Sequence, residues 1–357
     1  MSACAQCTEK GHNELRRGPA SSASSVGEGV MRGDYGATVM RVAALAWLLA
    51  LSAAVPAQEW PVRPVRIIVP FPPGQGADII GRLLAERLTP ILGQQTVVEN
   101  RTGAGSMVGT SIAAKAPADG YTLLIGGSSA MVINPHLYPN PGYDTLRDFA
   151  PITNIASLPM VICVNASFPA KTIPDLIRIA KQRPDEISYG SSGNGSTHHI
   201  LQAMFVRAAG IKATHVPYKG AAASMSDLIG GRIVMLADTL PATVPHIKAG
   251  KVRALGISSI KRSPFLPDVP TLDEQGIKGF NVIAWAGLFS PAGVSAPILD
   301  RLNNEVVRLL NTPATQNRFQ ELTMTTIGDS RADFDRFVKA ELASWGKAVK
   351  ASGAKID

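Results

Sequence analysis

The chain has 357 residues, of which 45% are hydrophobic and 17% charged, and its formal net charge is +8. Beyond residue 57 the basic residues are scattered, with no run longer than Lys261-Arg262, so the sequence does not predict nucleic-acid binding. Of the three cysteines, Cys4 and Cys7 precede the predicted mature chain and only Cys163 remains, which excludes a disulfide framework and a cysteine metal site. Cys163 lies in an apolar run, and we expect a buried, inert thiol.

Residues 40–57 have the pattern of a secretory signal. Arg41 supplies a positive charge, residues 42–55 an apolar run, and Val55-Pro56-Ala57 a small-residue cleavage site. The apolar run is shorter than the ~20 residues that a membrane-spanning helix needs. We therefore predict that residues 1–57 are an N-terminal extension plus signal peptide, that they are removed, and that the mature protein is periplasmic. Residues 1–39 fit neither a signal nor a domain, which leaves Met31 and Met40 as alternative starts.

From Val65 onward, short β-branched runs alternate with helical patterns, which is typical of a mostly parallel sheet covered by helices. The first half has predicted strands at 65–69, 96–99 and 121–125, and predicted helices from Ile79 to Gly93 and over 108–116. The second half has predicted strands at 187–189, 213–216 and 233–236, and predicted helices over 174–183, 196–209 and 224–229. A strand at 285–289 and amphipathic helices at about 297–311 and 332–350 complete the prediction. Chain crossings near 160–170 and 253–258 indicate a bilobed protein, with residues 58–165 and 255–357 in one lobe and 166–254 in the other.

A Gly-rich turn follows the first predicted strand of each half. One turn spans residues 71–78 and the other 190–198, and each comes just before a helix. Ligands of α/β sheets gather at the carboxyl ends of strands, and a helix start offers free N–H groups, so each turn could cradle an anion. For either turn alone, the favoured interpretation is a tight turn, with Ser196 or Thr197 as an N-cap in the second. Their matching positions across the predicted cleft favour the anion cradle.

Enzyme motifs are mostly missing. The sequence has no G-x-S-x-G elbow, no Walker loop and no H-E-x-x-H. The run from Gly103 to Gly109 imitates a dinucleotide loop but lacks the acidic residue at the end of the second strand, so we interpret it as a helix-start turn. His198 and His199 are adjacent and would point about 100° apart on a helix, which disfavours a metal pair.

Several blocks in sequence order resemble the tripartite tricarboxylate transporter receptors, also called Bug receptors. The blocks include PVRIIVPFPPGQGADIIGRLLAERL, VVENRTGAG, PADGYTLLIG, YGSSGNGSTHH, HVPYKG and LPATVPHIKAGKVRALGISSIKRSPFLPDVPTLDEQG, and the resemblance runs from Trp60 to about Lys350. It implies a type II-like periplasmic binding fold of the α/β class, with two mixed sheets flanked by helices. It also implies Venus-flytrap closure around a carboxylate ligand, no cofactor, no metal and no catalytic residue.

In such receptors the two turns hold the ligand's carboxylate, and more variable residues meet its far end. Carried over residue by residue, this predicts the ligand-binding set Phe71, Pro73, Gly74, Gln75, Ala77, Asp78, Ser128, Ser129, Asn134, Ser191, Gly193, Asn194, Ser196, Thr197, His198, Tyr218, Asp238 and Thr239. Three segments depart from the family pattern: Gly74-Gln75-Gly76, Gly220 to Ala223, and residues 326–330. We expect the first to alter the pocket and the others to affect packing only.

Asp238 is predicted to lie just beyond the strand 233–236, on the cleft floor. There it could accept a hydrogen bond from an ammonium or hydroxyl group, which would favour amino or hydroxy acids over fully ionised tricarboxylates. Alternatively, it caps the next turn through Thr239 and Leu240.

The expected partners are a small organic carboxylate and the large and small membrane subunits of a transporter, with the receptor a monomer. Two alternatives stay open. One is a receptor that presents its closed form to a sensor kinase, and the other, disfavoured, is a periplasmic enzyme using Asp78, His198 and Ser191.

Overall fold

The structure, a computed structural model, describes residues 59–353 and, before them, Met40 alone. The predicted signal peptide and the cleavage site therefore lie outside the described residues. Within the described part, no helix is both long enough and apolar enough to cross a membrane.

Ten strands form the sheet framework of the described region. They are β1 (Val65–Val69), β2 (Thr96–Asn100), β3 (Thr122–Gly127), β4 (Phe149–Asn165), β5 (Ser188–Ser191), β6 (Thr214–Pro217), β7 (Met235–Thr239), β8 (Val252–Ile257), β9 (Ile283–Pro291) and β10 (Thr325–Thr326).

Helices cover these strands. They are α1 (Gly76–Leu92), α2 (Met107–Ala114), α3 (Asn134–Leu137), α4 (Thr145–Asp148), α5 (Ile173–Gln182), α6 (Thr197–Ala208), α7 (Ala221–Ile229), α8 (Leu240–Lys248), α9 (Ala296–Leu310), α10 (Pro313–Glu321) and α11 (Arg331–Ser352), with a 3₁₀ turn at Ala104–Ser106 and a π-helical turn at Ser129–Ile133.

Two sheets share one long strand. The first runs β2-β1-β3-β9-β4 with β10 on β4, and the second runs β4-β7-β5-β6 with β8 on β4. The first part of β4, from Phe149 to Pro159, pairs with β9, and the part from Met160 to Val164 pairs with β7. β4 is therefore the strand that joins the two sheets.

The sheets are mixed, as the family resemblance implied, and not mostly parallel, as the alternation of strands and helices suggested. β1 pairs in parallel with β2 and β3, and β5 pairs in parallel with β6 and β7. However, β9 runs antiparallel to β3, and β4 runs antiparallel to β7, β8 and β9. The antiparallel strands are those at the junction, where the chain passes between the sheets.

Burial explains why these segments form these elements. β3 is buried along its whole length, as expected for a strand covered on both faces, and Ile80, Leu84 and Leu88 form the buried stripe of α1. Gly93 ends α1 in the left-handed conformation, with φ 67°. Thr172 caps α5 by accepting from the N–H of Asp175. Ser196, one of the two residues considered as an N-cap of α6, accepts from the N–H of His199.

Candidate functional site

A cavity of about 950 Å³ lies between the two sheets, at the upper end of the usual size for a small-molecule site. Both Gly-rich turns line it. The first turn connects β1 of the first sheet to α1, and the second connects β5 of the second sheet to α6. The carboxyl end of β1 in the first sheet and the carboxyl end of β5 in the second sheet therefore both lead to this cavity.

Four helices begin at this cavity. Residues of their first turns line it: Gly76 and Ala77 of α1, Thr197 and His198 of α6, Ala221 and Ala222 of α7, and Pro241 and Ala242 of α8. No side chain caps α1, α7 or α8, so their first N–H groups have no side-chain acceptor. Since each helix start carries a partial positive charge, the arrangement favours an anion.

Fourteen of the predicted ligand-binding residues line the cavity. They are Phe71, Pro73, Gly74, Gln75, Ala77, Ser128, Ser129, Gly193, Ser196, Thr197, His198, Tyr218, Asp238 and Thr239. The assignment of these residues to a ligand stays a prediction.

Four predicted site residues lie outside the cavity lining and support its walls. Asp78 is buried, and its carboxylate accepts from Gly74 N at 2.8 Å and from Asn100 Nδ2 and pairs with Arg82. Burial raises the pKa of this carboxyl, but the three partners together hold it below its usual value. It therefore fixes the first turn from behind. Asp78 lies outside the cavity lining, and its place in the ligand-binding set stays a prediction.

The other three are also held by hydrogen bonds, to residues distant in sequence. Asn134 Nδ2 donates to Gly105 O at 2.7 Å, and Ser191 Oγ bonds His215 Nε2 at 2.7 Å. Asn194 contributes its carbonyl oxygen, which accepts from the hydroxyl of Tyr138 at 3.2 Å. These contacts hold the loops that line the cavity.

Asp238 lies inside β7 and not beyond it, because that strand starts at Met235 and runs to Thr239. It pairs with Val161 of β4 and is 2% exposed. Its Oδ1 atom accepts from His198 Nε2 at 2.7 Å and from the backbone N–H of Thr239 at 2.6 Å. The bond from Thr239 is one half of the predicted cap, but Asp238 makes no bond with Leu240 and α8 has no side-chain cap. The contact with His198 connects β7 to the second turn.

The two adjacent histidines point to different partners. His198 bonds Asp238 through Nε2 and Ser192 Oγ through Nδ1, at 2.8 Å. His199 stacks on His215 with ring centroids 3.9 Å apart, and burial lowers the pKa of both rings to about 4. Within the described region, no group of three or more His, Cys, Asp or Glu side chains is placed to hold a metal ion.

Sequence reasoning missed several segments of the lining, including Ala284 to Ala286 of β9, and two of them have unusual backbone conformation or charge. The first is the loop Thr102–Ser106, where Ala104 and Ser106 have φ of 44° and 83°, a strained conformation for residues other than glycine. The loop follows β2, which pairs in parallel with β1, so it starts at the same edge of the sheet as the first turn. This placement could have predicted that the loop lines the cavity. The second is Lys219 to Ala223, of which Gly220 to Ala223 were expected to affect packing only.

Lys219 is the lining residue with the clearest electrostatic role. It is exposed, directly follows Tyr218, and has no ion pair with a described residue. Among the described lining residues it is the one lysine, and no arginine accompanies it. An unpaired cation at the rim of a cavity lined by helix starts adds to its preference for anions.

Comparison with known proteins gives consistent matches. The sequence profile of the "Tripartite tricarboxylate transporter family receptor" matches residues 80–354. A solved R. palustris protein with adipate is 38% identical, with a TM-score of 0.81, over 84% of this chain and 100% of that one. The periplasmic binding protein BugD is 36% identical, with a TM-score of 0.78, over 83% and 99%. MatC from Rhodopseudomonas palustris with bound malate is 30% identical, with a TM-score of 0.77, over 81% and 100%.

Proposed function

Because the chain belongs to the tripartite tricarboxylate transporter receptor family, whose members are solute-binding proteins, we propose that its cavity captures a small carboxylate for transport. The observation that carries this proposal is the set of four helices that begin at one cavity, together with the unpaired Lys219. Relatives with adipate and with malate support the ligand class. The receptor would work in the periplasm and deliver the ligand to the large and small membrane subunits of the transporter.

The energetics require more than helix starts. Each helix N-terminus contributes about 0.3–1 kcal/mol to anion binding, and up to ~2 kcal/mol when partly buried. A micromolar ligand needs about −8 kcal/mol. Hydrogen bonds and the removal of water on closure would therefore supply the rest, which is why the ligand would be held from both sheets.

We propose the lobe boundaries that the sequence suggested, with residues 58–165 and 255–357 in one lobe and 166–254 in the other. β1, β2, β3, β9 and β10 fall in the first set, and β5, β6 and β7 fall in the second, which supports this division. β4 and β8 lie at the boundary, so the hinge would involve β4 near Met160.

The experiment is calorimetry of the mature protein with a panel of carboxylates. The matched variants are Ala222→Asp and Ala222→Asn, at an exposed residue in the first turn of α7. A carboxylate there favours the helix but repels an anionic ligand, so Ala222→Asp should bind more weakly at unchanged or higher melting temperature. Ala222→Asn should bind almost as the wild type does. Equal affinities for both variants, or no binding of any carboxylate by the wild type, would refute the proposal.

The sensor and enzyme alternatives have separate tests. Copurification with a membrane permease or with a sensor kinase separates transport from signalling.

For the enzyme alternative, Asp78, His198 and Ser191 do not form a connected set, since Ser191 bonds His215 and Asp78 bonds Gly74, Arg82 and Asn100. Ser192, His198 and Asp238 do form a hydrogen-bonded chain. We expect the protein not to hydrolyse carboxylic esters. If it does release free acid from them, and Ser192→Ala abolishes this release, the result would favour the enzyme alternative.

A further inference from the structure

Two cavity-lining side chains each have a buried polar atom without a hydrogen-bond partner. In the described part of the chain nine buried side-chain atoms have this property, and only Nε2 of Gln75 and Oδ2 of Asp238 belong to residues that line the cavity. One atom is a donor and the other an acceptor. A buried polar atom without a partner is unfavourable, so a ligand that satisfies both atoms gains from doing so.

The acceptor is fixed in place. Oδ1 of Asp238 already accepts from His198 Nε2 at 2.7 Å, from Thr239 N at 2.6 Å and from Thr239 Oγ1 at 3.3 Å. These bonds orient the carboxylate and leave Oδ2 as its remaining acceptor. The side chain is 3% exposed and its residue lines the cavity, so a hydrogen-bond donor brought in from the cavity would satisfy this oxygen.

The donor comes from the other sheet. Gln75 is the N-cap residue of α1, and its side chain makes no capping bond. Its Nε2 atom lies 3.9 Å from the position that a β carbon on Gly220 would occupy, so the amide reaches toward the start of α7. The amide therefore lies between the starts of α1 and α7, beside residues that line the cavity.

These observations rest on the proposed function and narrow it. We propose that the ligand is a carboxylate bearing a hydroxyl or ammonium group, which donates to Oδ2 of Asp238, and an oxygen that accepts from Nε2 of Gln75. An unsubstituted acid has the same carboxylates but no donor group, so it would leave Oδ2 of Asp238 unsatisfied. The cavity therefore selects substituted acids over the parent acids of equal length.

The test compares ligands that differ only in the donor. Calorimetry of the wild type uses succinate, malate and aspartate, and then glutarate, 2-hydroxyglutarate and glutamate as a second length. We expect a substituted acid to bind about 10-fold or more tightly than its parent, as for a hydrogen bond to a charged group. The affinity of malate compared with that of aspartate, and of 2-hydroxyglutarate compared with that of glutamate, shows whether the donor on the ligand is a hydroxyl or an ammonium group.

Asp238→Asn is the variant that tests the acceptor. Its Oδ1 can keep the bonds to His198 and Thr239, while its amide nitrogen replaces the acceptor Oδ2 with a donor. We expect the preference for the substituted acid to disappear while the parent acid still binds. Asp268→Asn, at an exposed residue outside the cavity lining, removes the same charge and should leave the preference intact.

Gln75→Ala tests the donor independently, with Gln95→Ala at an exposed position as its control. We expect Gln75→Ala to weaken parent and substituted acids alike by several-fold, and Gln95→Ala to change neither. If the wild type binds parent and substituted acids equally, or if Asp238→Asn keeps the wild-type ranking, the inference is wrong and carboxylate binding stands. If the wild type binds no acid of either length, the proposed function fails with it.

Discussion

His198 of α6 and Asp238 of β7 form a hydrogen bond of 2.7 Å between Nε2 and Oδ1, in the second sheet's wall of the cavity. Nδ1 of the same ring bonds Ser192 Oγ at 2.8 Å, so one imidazole connects a strand, a helix start and a turn. Both side chains are largely buried, at 13% and 3% exposed. The second turn therefore depends on this ring for its position.

Replacing His198 with Phe should destabilise the protein. The substitution fills a similar volume but leaves the buried Asp238 without its ring donor, which costs about 1–3 kcal/mol. Urea unfolding should show a lower midpoint with an unchanged slope. His136→Phe, which loses one bond to a carbonyl oxygen on the exposed surface, serves as the control. An equal loss for both variants would contradict a special role for the His198–Asp238 contact.

Replacing Lys219 with Met should slow the capture of anionic ligands. The exposed ammonium group attracts anions from a distance, so its loss should lower the association rate more than it raises the dissociation rate. Stopped-flow binding at low salt should show a several-fold slower association, and the difference should shrink at high salt. Lys212→Met removes the same charge from an exposed site outside the cavity lining. A matching effect in that variant would show that only net charge matters.

Acid should destabilise the protein through the stacked pair His199 and His215. Burial lowers the pKa of both rings to about 4, and for His215 the neighbouring His199 adds to the shift. The unfolded chain, with a histidine pKa of about 6.5, then binds more protons than the folded chain between about pH 6.5 and 4. The contribution to stability is therefore complete above about pH 6.5 and is lost as the pH falls toward 4.

His215→Phe should reduce this acid sensitivity. The variant removes one titrating ring from the stack, so its free energy of unfolding should fall less than that of the wild type between about pH 7 and 4. Urea unfolding at several pH values measures the difference. His136→Gln, at a histidine outside the stack, should retain the full wild-type slope. Parallel curves for wild type and His215→Phe would rule out the stacked pair as the source.

The contact between Gly105 and Asn194 should limit substitutions in the strained loop. A β carbon on Gly105 would lie 2.8 Å from the carbonyl oxygen of Asn194, in the second turn. Gly105→Ala should thus push apart two loops that follow strands of different sheets, and weaken ligand binding. Gly210→Ala is a close control, because its φ of 60° matches the 62° of Gly105 but nothing lies within 4 Å of its added carbon. The same affinity in both variants would mean that this contact does not shape the cavity.

The sequence predicted the parts of the site that depend on local chemistry. A β-branched run followed by glycines, serines and a helix start located both turns, because strand, turn and cap are each specified within a few residues. It misplaced β7 by two residues, since Ile233 and Val234 continue the apolar run although they precede the strand. Asp238 was therefore predicted just past the strand that actually contains it.

The long-range features were harder to predict. β4 contains Pro151 and Pro159, which normally argue against a strand, and its ladders show register shifts beside Pro151. α8 contains Pro241 and Pro245, and its first turn reaches the cavity only because β7 ends there. Antiparallel pairing of β9 with β3 and β4 depends on contacts far apart in sequence, for which no local pattern exists.

The sharing of β4 has a thermodynamic consequence. Its first part completes one sheet and its second part completes the other, so melting either sheet removes pairing partners from the same continuous strand. The described residues 59–353 also belong to one compact unit. The two sheets should therefore lose their structure together, in a single calorimetric peak whose van't Hoff and measured enthalpies agree. A ligand bound between them would shift that whole peak to higher temperature, without splitting it.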